Sequence, residues 1–301
     1  MKIIRPIDTA CGNILQSNVT QDVPQWDIGV TYSKGDTVVT VSDTCGDVVY
    51  ESLDNSNTGN DPETTPLSWL PIGTSNYWSL FDDKNSSQTK KPTLIEYVVE
   101  FSNIVDSFAL ININATSVDF DIWESNQDWT IDTPKLSISV DLRDYGTTSW
   151  AEYLLYEVKQ KDNEVQFGIP IFTGGVGRMR LHGGDNLAIG SLVYGRSVDV
   201  GDSLYGFTSE IKDYSYKSVD EFGNRTIVER EFRGKLGCQV VVDTGRVNYI
   251  RKILAKYRAK PIVWVASTEK EQTQIYGFYN TAVFREEHPS YATLNLELEE
   301  L

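Results

Sequence analysis

Two histidines and forty-three carboxylates are the side chains in this 301-residue sequence most suited to proton transfer. His182 lies in Leu181-His182-Gly183-Gly184-Asp185 and His288 precedes Pro289, and both settings read as turns. No His-Glu-x-x-His pattern and no Gly-x-Ser-x-Gly elbow occurs, so neither zinc hydrolysis nor a serine triad is indicated. Asp82-Asp83, Asp119 with Asp121, and Glu286-Glu287 are candidate glycosidase pairs or calcium ligands. Glycosidase chemistry needs two carboxylates at a defined separation across a cleft. With so many acidic residues, chance pairs are plentiful. Asp119 and Asp121 alternate with Val118, Phe120 and Ile122, which puts the two carboxylates on a solvated strand face. Gly174-Gly175-Val176-Gly177-Arg178 lacks the Lys-Ser/Thr of a phosphate loop and opens no helix, so it reads as a flexible turn between strands. The expectation is a protein that is not an enzyme and needs no cofactor or metal.

A second chemistry is carried by aromatic rings. Trp26, Tyr32, Tyr50 and Trp69 punctuate residues 24–82, together with Gly35-Asp36-Thr37-Val38 and Asn57-Thr58-Gly59-Asn60-Asp61-Pro62. Gly35-Asp36 is a turn that launches a strand, and the Asn57–Pro62 loop returns the chain to Trp69. A unit this small builds its core from a few large rings. The order Trp, Tyr-x-x-Gly-Asp-x-Val, Tyr, Asn-x-Gly-x-x-Pro, Trp resembles the short carbohydrate-binding module of bacterial chitinases, over roughly a fifth of the chain. The resemblance implies a β-module stacking sugar rings on Trp26, Tyr32, Tyr50 and Trp69. It departs from the family at Leu53-Asp54-Asn55, where sugar-binding members place an exposed aromatic pair. The competing reading makes the four rings the core of the module.

The elements that would position these groups follow from pattern. Residues 1–23 are a lead-in, and the polar tract Asp82–Pro92 reads as a loop or linker. Short strands are expected at Leu94–Phe101, Phe108–Ile113, Thr116–Trp123, Leu136–Leu142, Trp150–Val158 and Leu187–Tyr194, making residues 93–196 a β-sandwich or jelly roll. In residues 197–301, Val247, Ile250, Ile253, Leu254 and Tyr257 recur at helical spacing, with Asp243 or Thr244 as cap and Pro261 as stop. The opposite face carries Arg246, Arg251, Lys252, Lys256 and Arg258. Strands at Ile262–Ala266, Gln274–Tyr279 and Tyr291–Leu298 complete an α+β domain. Asp220–Arg225 is a hairpin turn and Thr226–Phe232 its outgoing strand, whose Glu229, Arg230 and Glu231 form a solvated face or meet a neighbouring subunit. The fold class is therefore mainly β: a small aromatic module, a central sandwich and a C-terminal α+β domain with one clear helix.

Composition excludes several functions. The formal charge of −16 disfavours a nucleic-acid backbone. No stretch is apolar and long enough to span a bilayer, and the opening Met1–Pro6 lacks a signal-peptide run. Cys11, Cys45 and Cys238 give no disulfide framework and read as reduced, partly buried thiols, with a Cys11–Cys45 bridge as the alternative.

Several blocks also resemble a family of tailed-bacteriophage and prophage virion proteins. They are Met1–Pro6, Asn76–Asp83, Ile211–Ser215, Asp220–Asn224 running into Val228-Glu229-Arg230, Tyr257–Trp264 and Tyr276–Tyr279, in that order along almost the whole chain. The resemblance implies a structural protein of the tail or baseplate, made in the host bacterial cytoplasm and incorporated into the virion. It would be a homo-oligomer that contacts other virion proteins and presents the module to host-surface glycan. A dedicated glycan-binding adhesin is the alternative.

Overall fold

The computed structural model describes residues 1–41, 47–144, 149–151, 159–219, 221–230, 232–286 and 288–301. The chain is mainly β. In chain order the principal strands begin with β1 (Lys2–Pro6) and β2 (Ile14–Ser17), followed in the front module by β3 (Thr37–Val41), β4 (Asp47–Ser52) and β5 (Trp69–Thr74). The central region contributes β6 (Leu94–Asn114), β7 (Ser117–Glu124), β8 (Leu136–Asp141), β9 (Asn163–His182) and β10 (Ala188–Asp199). The last third contains β11 (Thr208–Asp213), β12 (Phe232–Asp243), helix α1 (Thr244–Lys256), β13 (Ile262–Val265), β14 (Gln274–Arg285) and β15 (Tyr291–Glu300).

One continuous antiparallel sheet runs β8-β7-β9-β6-β10-β1-β13-β14-β15-β12. The two segments expected at Leu94–Phe101 and Phe108–Ile113 are a single strand, β6, that belongs to two layers. Its first half pairs with β2 and with residues 175–182 of β9, and its second half with residues 163–172 of β9 and with β10. Register shifts in β9 between Phe167 and Phe172 and between Thr173 and Gly175 mark the bend. The layers then face each other, and Phe108 of one stacks on Phe120 of the other at 3.8 Å. Tyr97, Val99, Leu110, Met179 and Leu181 fill the same core. Gly175 and Gly177 stand inside β9, not in the turn expected there. A Cβ on Gly177 would meet the Phe101 ring at 2.4 Å, and one on Gly175 would meet the Trp123 carbonyl at 2.5 Å. These glycines permit close packing across the sheet. Most of the expected Trp150–Val158 strand lies outside the described residues.

The lead-in contains the strand that joins the central region to the last third. β1 pairs with β10 on one side and β13 on the other, both antiparallel. Consecutive residues of a strand point to opposite faces, and both faces are covered here. Ile3 enters the core beneath α1, while Ile4 enters a cluster with Ala109, Val193, Val263 and Tyr276.

Helix α1 forms at the expected place. The Asp243 carboxylate accepts from the Gly245 amide at 2.7 Å, which satisfies an orphan donor of the first turn. Val247, Ile250, Ile253 and Leu254 are buried over the sheet, each contributing about 1.5–3 kcal/mol of apolar burial. Burial in this core pushes the Cys238 thiol up to about 11. The Cys45 position and the Cys11 side chain lie outside the described residues.

The polar tract at 82–92 is tied down, contrary to a free linker. Asn85 and Thr89 are buried; the Asn85 amide donates to Glu300 at 3.0 Å and the Thr89 hydroxyl to the Asn76 carbonyl at 2.9 Å. The Tyr276 hydroxyl donates to Asp83 at 2.6 Å. Burial, then the charge of Asp83, raises the Tyr276 phenol well above its ordinary value.

Candidate functional site

The four module rings divide into two pairs. Trp69, 1% exposed, and Tyr32, 8% exposed, meet edge to face at 5.3 Å and pack on Val38. Their polar ends are satisfied internally: the Trp69 indole donates to the Asn60 carbonyl at 2.9 Å, and the Tyr32 hydroxyl accepts from the Asp27 amide at 2.8 Å. Asn57 is buried, its amide donating to Ser52 and to the Ser68 carbonyl, and it holds the Asn57–Pro62 loop beneath Trp69. Trp26 and Tyr50 flank this core, half-buried. Burial, then the Glu63 charge, raises the Tyr50 phenol. Tyr32 and Trp69 have no free face for a sugar ring. At the family's usual sugar-contacting position, Leu53 is half-buried, and Asp54 and Asn55 are exposed.

Asp119 and Asp121 do not form a solvated face. Cross-strand registry sets Asp121 opposite Arg178 on β9 and opposite Ser137 on β8. Asp121 is 5% exposed and accepts from Ser137 at 2.6 Å, Arg178 at 2.8 Å and Arg180 at 2.9 Å. Burial alone would raise its carboxyl, but the hydrogen bonds from Ser137 and Arg178 and the two guanidinium charges outweigh it. The net result lies below the ordinary carboxylate value. Arg178 also lies over the Trp123 ring at 5.0 Å. His182 ends β9 instead of occupying a turn, and its Nε2 lies 3.1 Å from Asp119. The group is a charge-balanced lattice across three strands. Pattern within one strand cannot show it, because the partners are supplied by other strands.

His288 does sit in a turn, where its Nδ1 accepts from the Ser290 amide and its ring stacks on Tyr291 at 4.8 Å. Among the described residues, no group of three or more His, Cys, Asp or Glu is placed to hold a metal. Glu286 is described and exposed, whereas Glu287 lies outside the described residues.

Among the described residues, a group of exposed apolar side chains lies on a ribbon that the sequence presents as an ordinary hairpin. β11 pairs with the first half of β12, from Thr208 opposite Gly237 to Asp213 opposite Phe232. Beyond it, Tyr216–Val219 pairs with Arg225–Val228, and Gly223 takes a positive φ of 81° in the closing turn. Ile211 is 71% exposed and Phe232 66%, with Tyr216, Val219, Ile227 and Val228 also exposed. At the base, Glu299 gathers the Asn280 amide at 2.7 Å, the Tyr214 hydroxyl at 3.2 Å, and Lys212 and Lys235 at 3.9 Å. The Asn280 bond leads the contacts that hold the Glu299 carboxyl below its usual range. Residues 208–237 contain six basic and six acidic side chains, in a chain that otherwise carries all of the −16. The expected outgoing strand Thr226–Phe232, with Glu229, Arg230 and Glu231 on a solvated face, says nothing of where Ile227 and Phe232 point. The exposed apolar positions were legible only once the ribbon was seen to leave the sheet.

No protein-family model matches the chain, and no curated protein matches it. No helix among the described residues is long and apolar enough to cross a membrane.

Proposed function

We propose that the chain is a structural, non-catalytic component of a tailed-phage particle, in the tail or baseplate, where it contacts copies of itself and other virion proteins. The observation that carries this reading is the 208–237 ribbon. Two-stranded ribbons are marginal in water on their own. Exposed apolar side chains gathered on one ribbon in this way mark a surface that another protein covers. The firmly anchored base at Glu299 and the neutral charge of the ribbon suit a clasp laid on a neighbour. The ordered blocks that resemble virion proteins support the same assignment, because Ile211–Ser215 and Val228–Arg230 fall on this ribbon.

In this reading the front module is a surface part of the assembly. A role in glycan retention would rest on Trp26 and Tyr50, since Tyr32 and Trp69 are occupied by the core. Repeated copies would make weak single contacts useful.

Cryo-microscopy of purified particles tests the assignment. The expected result is the chain in repeated copies, with Ile211, Ile227 and Phe232 covered by a neighbouring subunit. Absence of the chain from particles would overturn it, as would a ribbon standing free in solvent. Turnover of a host-surface polysaccharide by the purified chain would overturn the non-catalytic part.

A further inference from the structure

We infer that the outer face of α1 receives the acidic front module of a second copy of this chain, so that copies join head to tail. The inference rests on the structural-component reading and names one of its contacts.

Charge is distributed very unevenly along the chain. Residues 244–268 hold Arg246, Arg251, Lys252, Lys256, Arg258 and Lys260 and not one carboxylate. Residues 24–82 hold nine carboxylates against the single cation Lys34. A fifth of the sequence thus carries half of the net negative charge, and one helix with its following turn carries the strongest positive charge.

The fold leaves the helix cations available. The apolar stripe of α1 faces the core, so Arg251, Lys252 and Lys256 are exposed. Among the described residues, Lys260 pairs with Asp8 at 3.1 Å, and no ion pair engages Arg251 or Lys252. At the C-terminal end of the helix, Lys256 and Tyr257 line a cleft with Arg5 and Arg196. The Arg5 Nε is buried there without a hydrogen-bond partner. That cleft concentrates cationic charge beside the face and suits a carboxylate-bearing loop.

The module presents such a loop. Asp54 and Glu63 are exposed on the Leu53–Glu63 side, held by the Asn57 network beneath them. Two whole chains repel each other, each carrying a net −16, so the attraction has to be local. A docked module brings its carboxylates only to the helix face, within the screening length of about 8 Å at physiological salt. Because the two patches differ, the contact is heterologous. Such contacts close into rings when the rotation permits.

The experiment is sedimentation velocity on the full-length protein at about 0.15 M salt, with circular dichroism to verify folding. Arg251→Glu with Lys252→Glu forms one variant, and Asp54→Lys with Glu63→Lys the other. Each is expected to weaken association by about tenfold or more. An equimolar mixture of the two should recover it, since each reversed patch then meets a reversed partner. About 1 M salt should weaken the wild-type contact by screening. Folded variants that associate as the wild type does would overturn the inference while leaving the structural reading intact. Weakened variants whose mixture fails to recover would also overturn it. A wild-type chain that stays monomeric at all concentrations would overturn the head-to-tail contact, and localisation in particles would then judge the structural reading separately.

Discussion

The front module and the 208–237 ribbon are both small β units rich in rings, yet they turn those rings in opposite directions. In the module, Trp69 and Tyr32 close on each other and spend their polar ends on Asn60 and Asp27. In the ribbon, Ile211, Tyr216, Ile227 and Phe232 point into solvent, and what holds the unit is a polar cluster at its base on Glu299. An inventory of aromatic residues singles out the module as the binding surface, whereas between these two units it is the ribbon whose rings, Tyr216 and Phe232, are exposed. The difference arises from size and attachment. The module's separate three-stranded sheet must make its own core, while a ribbon extending from β12 inherits its anchorage from the main sheet.

That contrast predicts different costs for removing a side chain. Trp69→Ala should produce the largest effect, about 3–5 kcal/mol of module stability. Hydrogen exchange would show lost protection in β3 to β5, with β6 and β9 unchanged. Retained protection there would mean that the ring is not the module's core.

Next comes Asp121→Asn, which leaves Arg178 and Arg180 facing a neutral amide and should cost about 1–3 kcal/mol in chemical denaturation. The folded-state pKa of Asp121 lies below its ordinary 3.8. Its stabilising contribution is therefore complete above that value and lost as pH falls through the lower folded-state pKa. The gap between wild type and variant should narrow as the medium is acidified below about pH 4. A gap that widens on acidification would contradict the lattice of ion pairs.

Tyr32→Phe removes the acceptor for the Asp27 amide and should cost the module about 1 kcal/mol. The smallest effect on folding is expected for Ile211→Ser with Phe232→Ser, each within about 0.5 kcal/mol because both side chains are solvent-exposed. The same pair should nevertheless reduce assembly in sedimentation more than Tyr32→Phe does. If the serine variants unfold instead, the ribbon has an internal packing role and the contrast with the module narrows.

Local pattern was sufficient for α1, where the spacing from Val247 to Leu254 and the Asp243 cap lie within one stretch of chain. It was sufficient for the alternating strands β7 and β15 and for the turn at Gly223. It failed wherever the deciding neighbour lay far away. The gap left between the strands expected at Leu94–Phe101 and Phe108–Ile113 holds the exposed Ser102 and Asn103, at which β6 passes from one layer to the other. Gly174 to Gly177 looked like a turn because glycine permits turns, while here Gly177 makes room for the Phe101 ring. Asp121 looked solvated because its own strand alternates, and its arginines belong to β9. In the module, Trp26, Tyr32, Tyr50 and Trp69 were legible as a group, but their division into core and margin depends on the packing of Tyr32 against Trp69.

The double pairing of β1 has a consequence for the order in which the molecule is completed. Ile3 has Val198 on one side and Trp264 on the other. During synthesis, Ile3 emerges well before Val198 and earlier still relative to Trp264. Contacts of such long sequence separation are slow to form because the intervening loop must be closed first. Until β13 emerges, β1 offers an open strand edge to other nascent chains. The seam between the two halves of the sheet therefore closes only after β13 has been made, and a polypeptide cut short before residue 262 leaves it unsealed.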